Sequence, residues 1–112
     1  MSEIVTDEEV EKALDYLRDE ALPAAKAIAY SGYMAEWRKT LKAKLMGLCN
    51  EKTSADKERF AYAHAEYEAH LRDMQTAIEK AKEREFLMKA ASVKIEVWKA
   101  EQFRNRAMER LT

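Results

Sequence analysis

Apolar residues recur at alternating spacings of three and four along most of the chain, a pattern typical of helices that bury one face. One stripe lies on residues 7–21 and a second on residues 23–49. A third begins after the turn-like residues 50–54, and no glycine or proline follows Gly47. The pattern predicts an all-α protein, folded as a long antiparallel helical hairpin with coiled-coil-like packing and an additional short N-terminal helix.

The N-terminal half predicts two helices within a single domain of residues 1–112. Thr6 precedes three acidic residues and is a good cap for a first helix over residues 7–21. Pro23 disfavours helical geometry at the residue before it and suits the first turn of a new helix. We therefore expect a bend at the proline, followed by a second helix over residues 23–49.

The C-terminal half predicts one long helix over residues 54–110. Thr53 or Ser54 can cap its first turn. The apolar register wavers around His64. A kink at residues 62–65 is therefore possible.

The distal part of the third helix has more apolar surface than one neighbour can cover. At 1.5 Å per residue the second helix is roughly 40 Å long and the third approaches 80 Å, so the hairpin leaves about half of the third helix uncovered. We expect the first helix, a second copy of the chain, or both to cover it, and we predict a homodimer or a higher helical assembly. The residues predicted to mediate self-association are Phe86, Val93, Val97, Trp98 and Phe103.

Charge is distributed unevenly, although the formal net charge is only −1. Residues 1–22 hold eight acids and two bases, a net charge of −6, and residues 23–50 hold five bases and one acid, a net charge of +4. Neighbouring segments of opposite charge suggest mutual attraction within the fold.

The sequence contains no signature of catalysis, of a cofactor or of a metal site. Two glycines are too few for a phosphate-cradling loop, and His64 and His70 are six residues apart, on different faces of a helix. The only cysteine, Cys49, fits a small apolar role in a reducing cytoplasm, and no apolar run approaches the length of a membrane span. We therefore expect a non-enzymatic, cytoplasmic protein without cofactors.

Basic residues next to aromatic ones offer a possible contact with nucleic acid. One group follows Trp37 and the other follows Trp98; the candidate contact residues are Arg38, Lys39, Lys42, Lys44, Arg104 and Arg106. The alternative is that these bases lie on a solvated face or pair with the acidic first segment. An isoelectric point near 6.2 is far from that of dedicated nucleic-acid binders, so nucleic acid is not the favoured partner.

Four segments resemble a group of small uncharacterised proteins of tailed bacteriophages and prophages. The segments are EKALDYLRDEALPAAKA, YMAEWRKTLKAKLM, ERFAYAHAEYEAHL and IEVWKAEQ. The resemblance implies a helical-hairpin accessory protein, in some cases encoded near phage recombination or early genes. Relatives are expected to have a proline after the YAH triplet, where this chain has Ala65. The resemblance implies no catalytic residue.

Three functional hypotheses follow. The first is a phage-type interaction protein that dimerises through the distal half of the third helix and binds another macromolecule, such as an unidentified protein. The second is an accessory nucleic-acid binder in phage recombination. The third is an inhibitor of a host factor, in which residues 1–22 would mimic the charge of a nucleic acid; a free first helix would favour it.

Overall fold

The computed structural model describes residues 3–111, and this part of the chain contains three α-helices and no β-strand. Their bounds are α1 Asp7–Leu48, α2 Ser54–Ala63 and α3 Ala65–Leu111. The start of α1 contacts the end of α3, and the end of α1 contacts the start of α3, so the two long helices pack antiparallel. The predicted all-α helical hairpin is confirmed. The ends of the predicted domain, Met1, Ser2 and Thr112, lie outside the described residues.

Contacts divide the chain into two compact units where the sequence predicts a single domain. One unit contains residues 3–25 and 83–111, and the other contains residues 26–82. Each unit includes a segment of α1 packed against a segment of α3, and the second unit also includes α2.

The start of α1 agrees with the prediction, whereas the predicted break at Pro23 is wrong. The Thr6 hydroxyl accepts a hydrogen bond of 3.1 Å from the backbone N–H of Glu9, as expected of a helix cap. The helix continues through Pro23 to Leu48, so the separate helices over residues 7–21 and 23–49 are one element. The proline removes one backbone hydrogen bond, but residues on either side of it, including Ala13 and Ala24, are buried and keep the helix together.

The predicted long third helix is interrupted at His64, inside the segment where the sequence allows a kink. His64 has an extended backbone (φ −72°, ψ 139°) and ends α2, because its N–H bonds the carbonyl of Ala61. Its imidazole Nδ1 accepts a hydrogen bond of 3.1 Å from the N–H of Glu66 and so caps α3. One residue therefore ends one helix and begins the next.

Ala65 is the first residue of α3, directly after this break. A proline suits the first position of a helix and requires an extended residue before it, which His64 supplies. A proline would therefore fit this position, where the chain has alanine.

The unit of residues 26–82 is built around Leu45, which is 1% exposed, with Ala61 and Tyr67 beside it. Thr53 caps α2 by accepting a hydrogen bond of 3.1 Å from Asp56, as predicted for one of two candidate caps. His70, also buried, donates from Nε2 to the carbonyl of Met34 at 2.8 Å. A carbonyl only accepts hydrogen bonds, so this contact requires the proton on Nε2. Both histidines thus have structural roles.

Candidate functional site

An inner seam of α3 faces α1 in the unit of residues 3–25 and 83–111. We define it by seven positions at alternating spacings of four and three: Arg84, Met88, Ala91, Ile95, Trp98, Gln102 and Asn105. All seven are buried or half-buried. The Trp98 indole N–H donates to the Asp7 carboxylate at 2.7 Å, and the Arg84 guanidinium donates to Glu20 at 2.7 Å. In this unit, the inner seam is the face through which α3 packs against α1 of the same chain.

An outer seam runs along nearly the opposite side of α3. Each inner-seam position is followed two residues later, about 200° around the helix, by an outer-seam position. We define it by eight positions with the same spacing: Phe86, Ala90, Val93, Val97, Ala100, Arg104, Ala107 and Leu111. Val97 is half-buried and the other seven are exposed; Phe86 is 67% and Leu111 82% exposed. Seven of the eight are apolar, and the seam spans about 38 Å at 1.5 Å per residue. This surface is our candidate functional site.

The five residues predicted to mediate self-association are distributed over three places. Phe86, Val93 and Val97 belong to the outer seam. Phe103 is 78% exposed but lies beside that seam rather than on it. Trp98 belongs to the inner seam and contacts Asp7 of its own chain, so the structure removes it from the predicted association surface.

Five outer-seam positions are missing from the sequence-based set of association residues: Ala90, Ala100, Arg104, Ala107 and Leu111. Ala100, Ala107 and Leu111 continue the spacing of Phe86 and Val93 to the end of α3. The spacing of these positions identifies them, but alanine is a weaker hydrophobic signal than a large apolar residue. Arg104 interrupts the seam and separates Ala107 and Leu111 from the clearer pattern before them.

An apolar groove of about 300 Å³ lies between α1 and α3, at the edge of the outer seam that faces α1. Its lining residues are Glu9, Lys12, Ala13, Tyr16, Leu87, Ala90, Ala91 and Lys94. Ala90 belongs both to the outer seam and to the groove. A helix seated on the outer seam would therefore also cover this groove.

The acidic N-terminal segment pairs with α3 rather than with the basic stretch that follows it. Glu20 bonds Arg84, and this hydrogen bond is the main cause that raises the pKa of Arg84 above its already high ordinary value. The buried Glu101 accepts a hydrogen bond of 3.0 Å from the N–H of Ile4. Since residues 7–48 form one helix, the acidic and basic stretches follow each other along it, and the predicted attraction between them is replaced by contacts with α3.

Three of the candidate nucleic-acid contacts in the unit of residues 26–82 are engaged within the chain. Lys39 lies 3.6 Å from Glu36, and Lys44 lies over the Trp37 ring at 4.8 Å. Lys42 lies 3.4 Å from Glu58 and 4.7 Å from the Tyr62 ring centroid. Tyr62 is the largest cause that raises the pKa of Lys42, followed by Glu58.

Aromatic rings remain accessible near these bases. The Tyr33 and Trp37 rings stack with centroids 6.3 Å apart, and Tyr33 is exposed whereas Trp37 is half-buried. Arg38 is half-buried on the same helix. The remaining candidates, Arg104 and Arg106, are exposed residues of the other unit.

Within residues 3–111, no group of three histidine, cysteine, aspartate or glutamate side chains is arranged to hold a metal ion. None of the helices formed by these residues has a stretch both long and apolar enough to cross a membrane. Comparison of the chain with protein-family models, curated proteins and solved structures finds no match.

Proposed function

We propose that the protein is a non-enzymatic helical interaction protein that self-associates through the outer seam and binds another macromolecule as an assembly. The observation that carries the proposal is the outer seam itself, a second regular stripe on a helix whose inner seam is already packed. A repeat with a period of about 3.5 residues is the sequence requirement for packing against another helix. The single cysteine and the resemblance to phage and prophage proteins favour a bacterial host cytoplasm as its location.

The exposure of the outer seam supports association rather than a missing intramolecular contact. α1 packs on the inner seam of α3, through Asp7 and Glu20 among others, and so occupies the opposite side of the helix. An apolar stripe about 38 Å long is more than the scattered apolar residues of an ordinary monomer surface. These features support cover of the stripe by another molecule.

Replacing Val93 by glutamate tests the proposal. Val93 is half exposed, so the monomer should tolerate the change, whereas an assembly would have to bury an unpaired carboxylate. We expect Val93→Glu to raise the dissociation constant of the assembly at least tenfold, about 1.4 kcal/mol or more, as measured by sedimentation equilibrium.

Ser92→Glu is the matched control, because Ser92 is the exposed neighbour of Val93 and lies away from the outer seam. It introduces the same charge and should leave the dissociation constant nearly unchanged. A wild-type chain that stays monomeric at all accessible concentrations would contradict the proposal, as would equal weakening by both variants.

Accessory nucleic-acid binding is a second candidate, favoured by the exposed Tyr33 ring stacked on Trp37 with Lys44 above it. Bases of a single strand stack on such rings, and lysines contact its phosphates.

This candidate predicts that a labelled single-stranded oligonucleotide is retained at low salt and that its affinity falls by about 0.7 log unit per phosphate contact for each log unit of salt. Lys44→Glu should weaken binding more than Lys52→Glu, a control in the exposed turn after α1. No retention at low salt would exclude it.

The third hypothesis, inhibition of a host factor by charge mimicry, would be favoured by a free acidic segment. In the described part of that segment, Ile4, Asp7 and Glu20 contact α3. The structure thus offers no observation in its favour.

A further inference from the structure

We infer that the occupant of the outer seam is a second copy of this chain, with its α3 running antiparallel to the first. The inference rests on the self-association proposed above and adds its geometry, an isologous pair in which the two seams overlap along residues 86–111. Three features of the surface carry it: the layers formed by the seam residues, the charged residue Arg104 on the seam, and the groove next to it.

Full antiparallel overlap produces layers that combine well in size. Each layer takes one residue from each copy, and the four kinds of layer are Phe86 with Leu111, Ala90 with Ala107, Val93 with Arg104, and Val97 with Ala100. The alanines at positions 90, 100 and 107 allow the two helix backbones to approach closely, and the largest apolar residues meet at the two ends.

Arg104, the one charged residue of the outer seam, distinguishes the two orientations. In a parallel, in-register pair, Arg104 would face Arg104 of the second copy across the two-fold axis, with two like charges in an apolar layer. In the antiparallel pair it lies against Val93 of the second copy, and its long side chain can extend towards Glu96 of that copy. The antiparallel orientation therefore replaces a repulsive layer by an attractive contact.

The groove beside the seam gains a residue from the second copy in this arrangement. Leu87 lines the groove, and antiparallel overlap brings Met108 of the second copy next to it. Met108 is 54% exposed within its own chain. Methionine is flexible and fills irregular apolar spaces, so its side chain can enter the groove beside Ala91. The groove is thus completed only by the partner.

Disulfide mapping tests the orientation, with Ala90→Cys and Ala107→Cys introduced together in a Cys49→Ala background. In the antiparallel pair, residue 90 of one copy lies opposite residue 107 of the other. Identical positions are 17 residues apart along the helices, about 26 Å, which is too far for a disulfide. Mild oxidation should yield a covalent dimer whose only cross-linked peptides join residue 90 to residue 107. A variant with Cys introduced at the exposed Ala55 instead is the control and should not form the covalent dimer.

The outcomes separate this inference from the proposed function on which it rests. Cross-links between residues 90 and 107 support the antiparallel pair. Cross-links of 90 to 90 and 107 to 107 would overturn it in favour of a parallel pair and leave self-association intact. A dimer by sedimentation that forms neither set of cross-links would overturn this register. A monomeric mass at all concentrations would overturn both the orientation and the proposed function.

Discussion

Replacing Leu45 by alanine is expected to lower the free energy of unfolding by about 2–5 kcal/mol. Leu45 is 1% exposed and packs with Ala61 and Tyr67, which join the end of α1 to α2 and the start of α3. The substitution removes several buried carbon atoms and leaves a cavity. Because α1, α2 and α3 are packed together at this position, they cannot move in far enough to close the cavity fully. Urea unfolding followed by far-ultraviolet circular dichroism measures the loss.

Leu48→Ala provides a matched control for this result. It is the same chemical change three residues further along α1, at a side chain that is 71% exposed. Its effect should stay within about 0.5 kcal/mol, because little apolar surface is buried there. Similar losses from both variants would show that the core of this unit does not depend on Leu45.

Replacing Pro23 by alanine is expected to raise the free energy of unfolding by about 1–3 kcal/mol. Pro23 lies inside α1 and is exposed, so its ring contributes little packing. It leaves the carbonyl of Asp19 without its helical N–H partner, and its ring crowds that carbonyl; together these effects cost about 3 kcal/mol in a helix interior. Part of the gain is lost because proline also restricts the unfolded chain, by about 0.4–1 kcal/mol. Thermal and urea unfolding measure the change.

Pro23→Gly is a second variant that removes the proline ring from α1. Glycine restores the N–H but is about 1 kcal/mol worse than alanine in a helix, so its gain should be correspondingly smaller. A loss of stability with alanine would mean that the structure depends on the geometry that the proline imposes.

Much of the fold could be predicted from local signals, and the exception at Pro23 has a clear cause. Thr6 and Thr53 cap helices as expected, and His64 interrupts the helical stretch where the apolar register wavers. These features depend on a few neighbouring residues. The continuity of α1 depends instead on burial on either side of the proline, which a local rule does not include.

The candidate site was predicted in outline but not in detail, because its details depend on the register of the hairpin. The sequence indicates two apolar faces on the distal part of α3. Assignment of Trp98 to the inner face requires knowing that Asp7 lies opposite it, 91 residues earlier in the chain. The partners of Glu20 and Glu101 depend on the same long-range alignment.

The two seams of α3 share one repeat, and this restricts how the segment can change in length. Inserting or deleting one residue between positions 86 and 111 rotates the following part of α3 by about 100° about the helix axis. The inner seam and the outer seam then both lose their alignment with the helices that they face. A change of seven residues amounts to almost two full turns and leaves both nearly in phase. Homologous chains are therefore expected to differ here by whole multiples of seven, whereas the turn at residues 49–53 is free of that constraint.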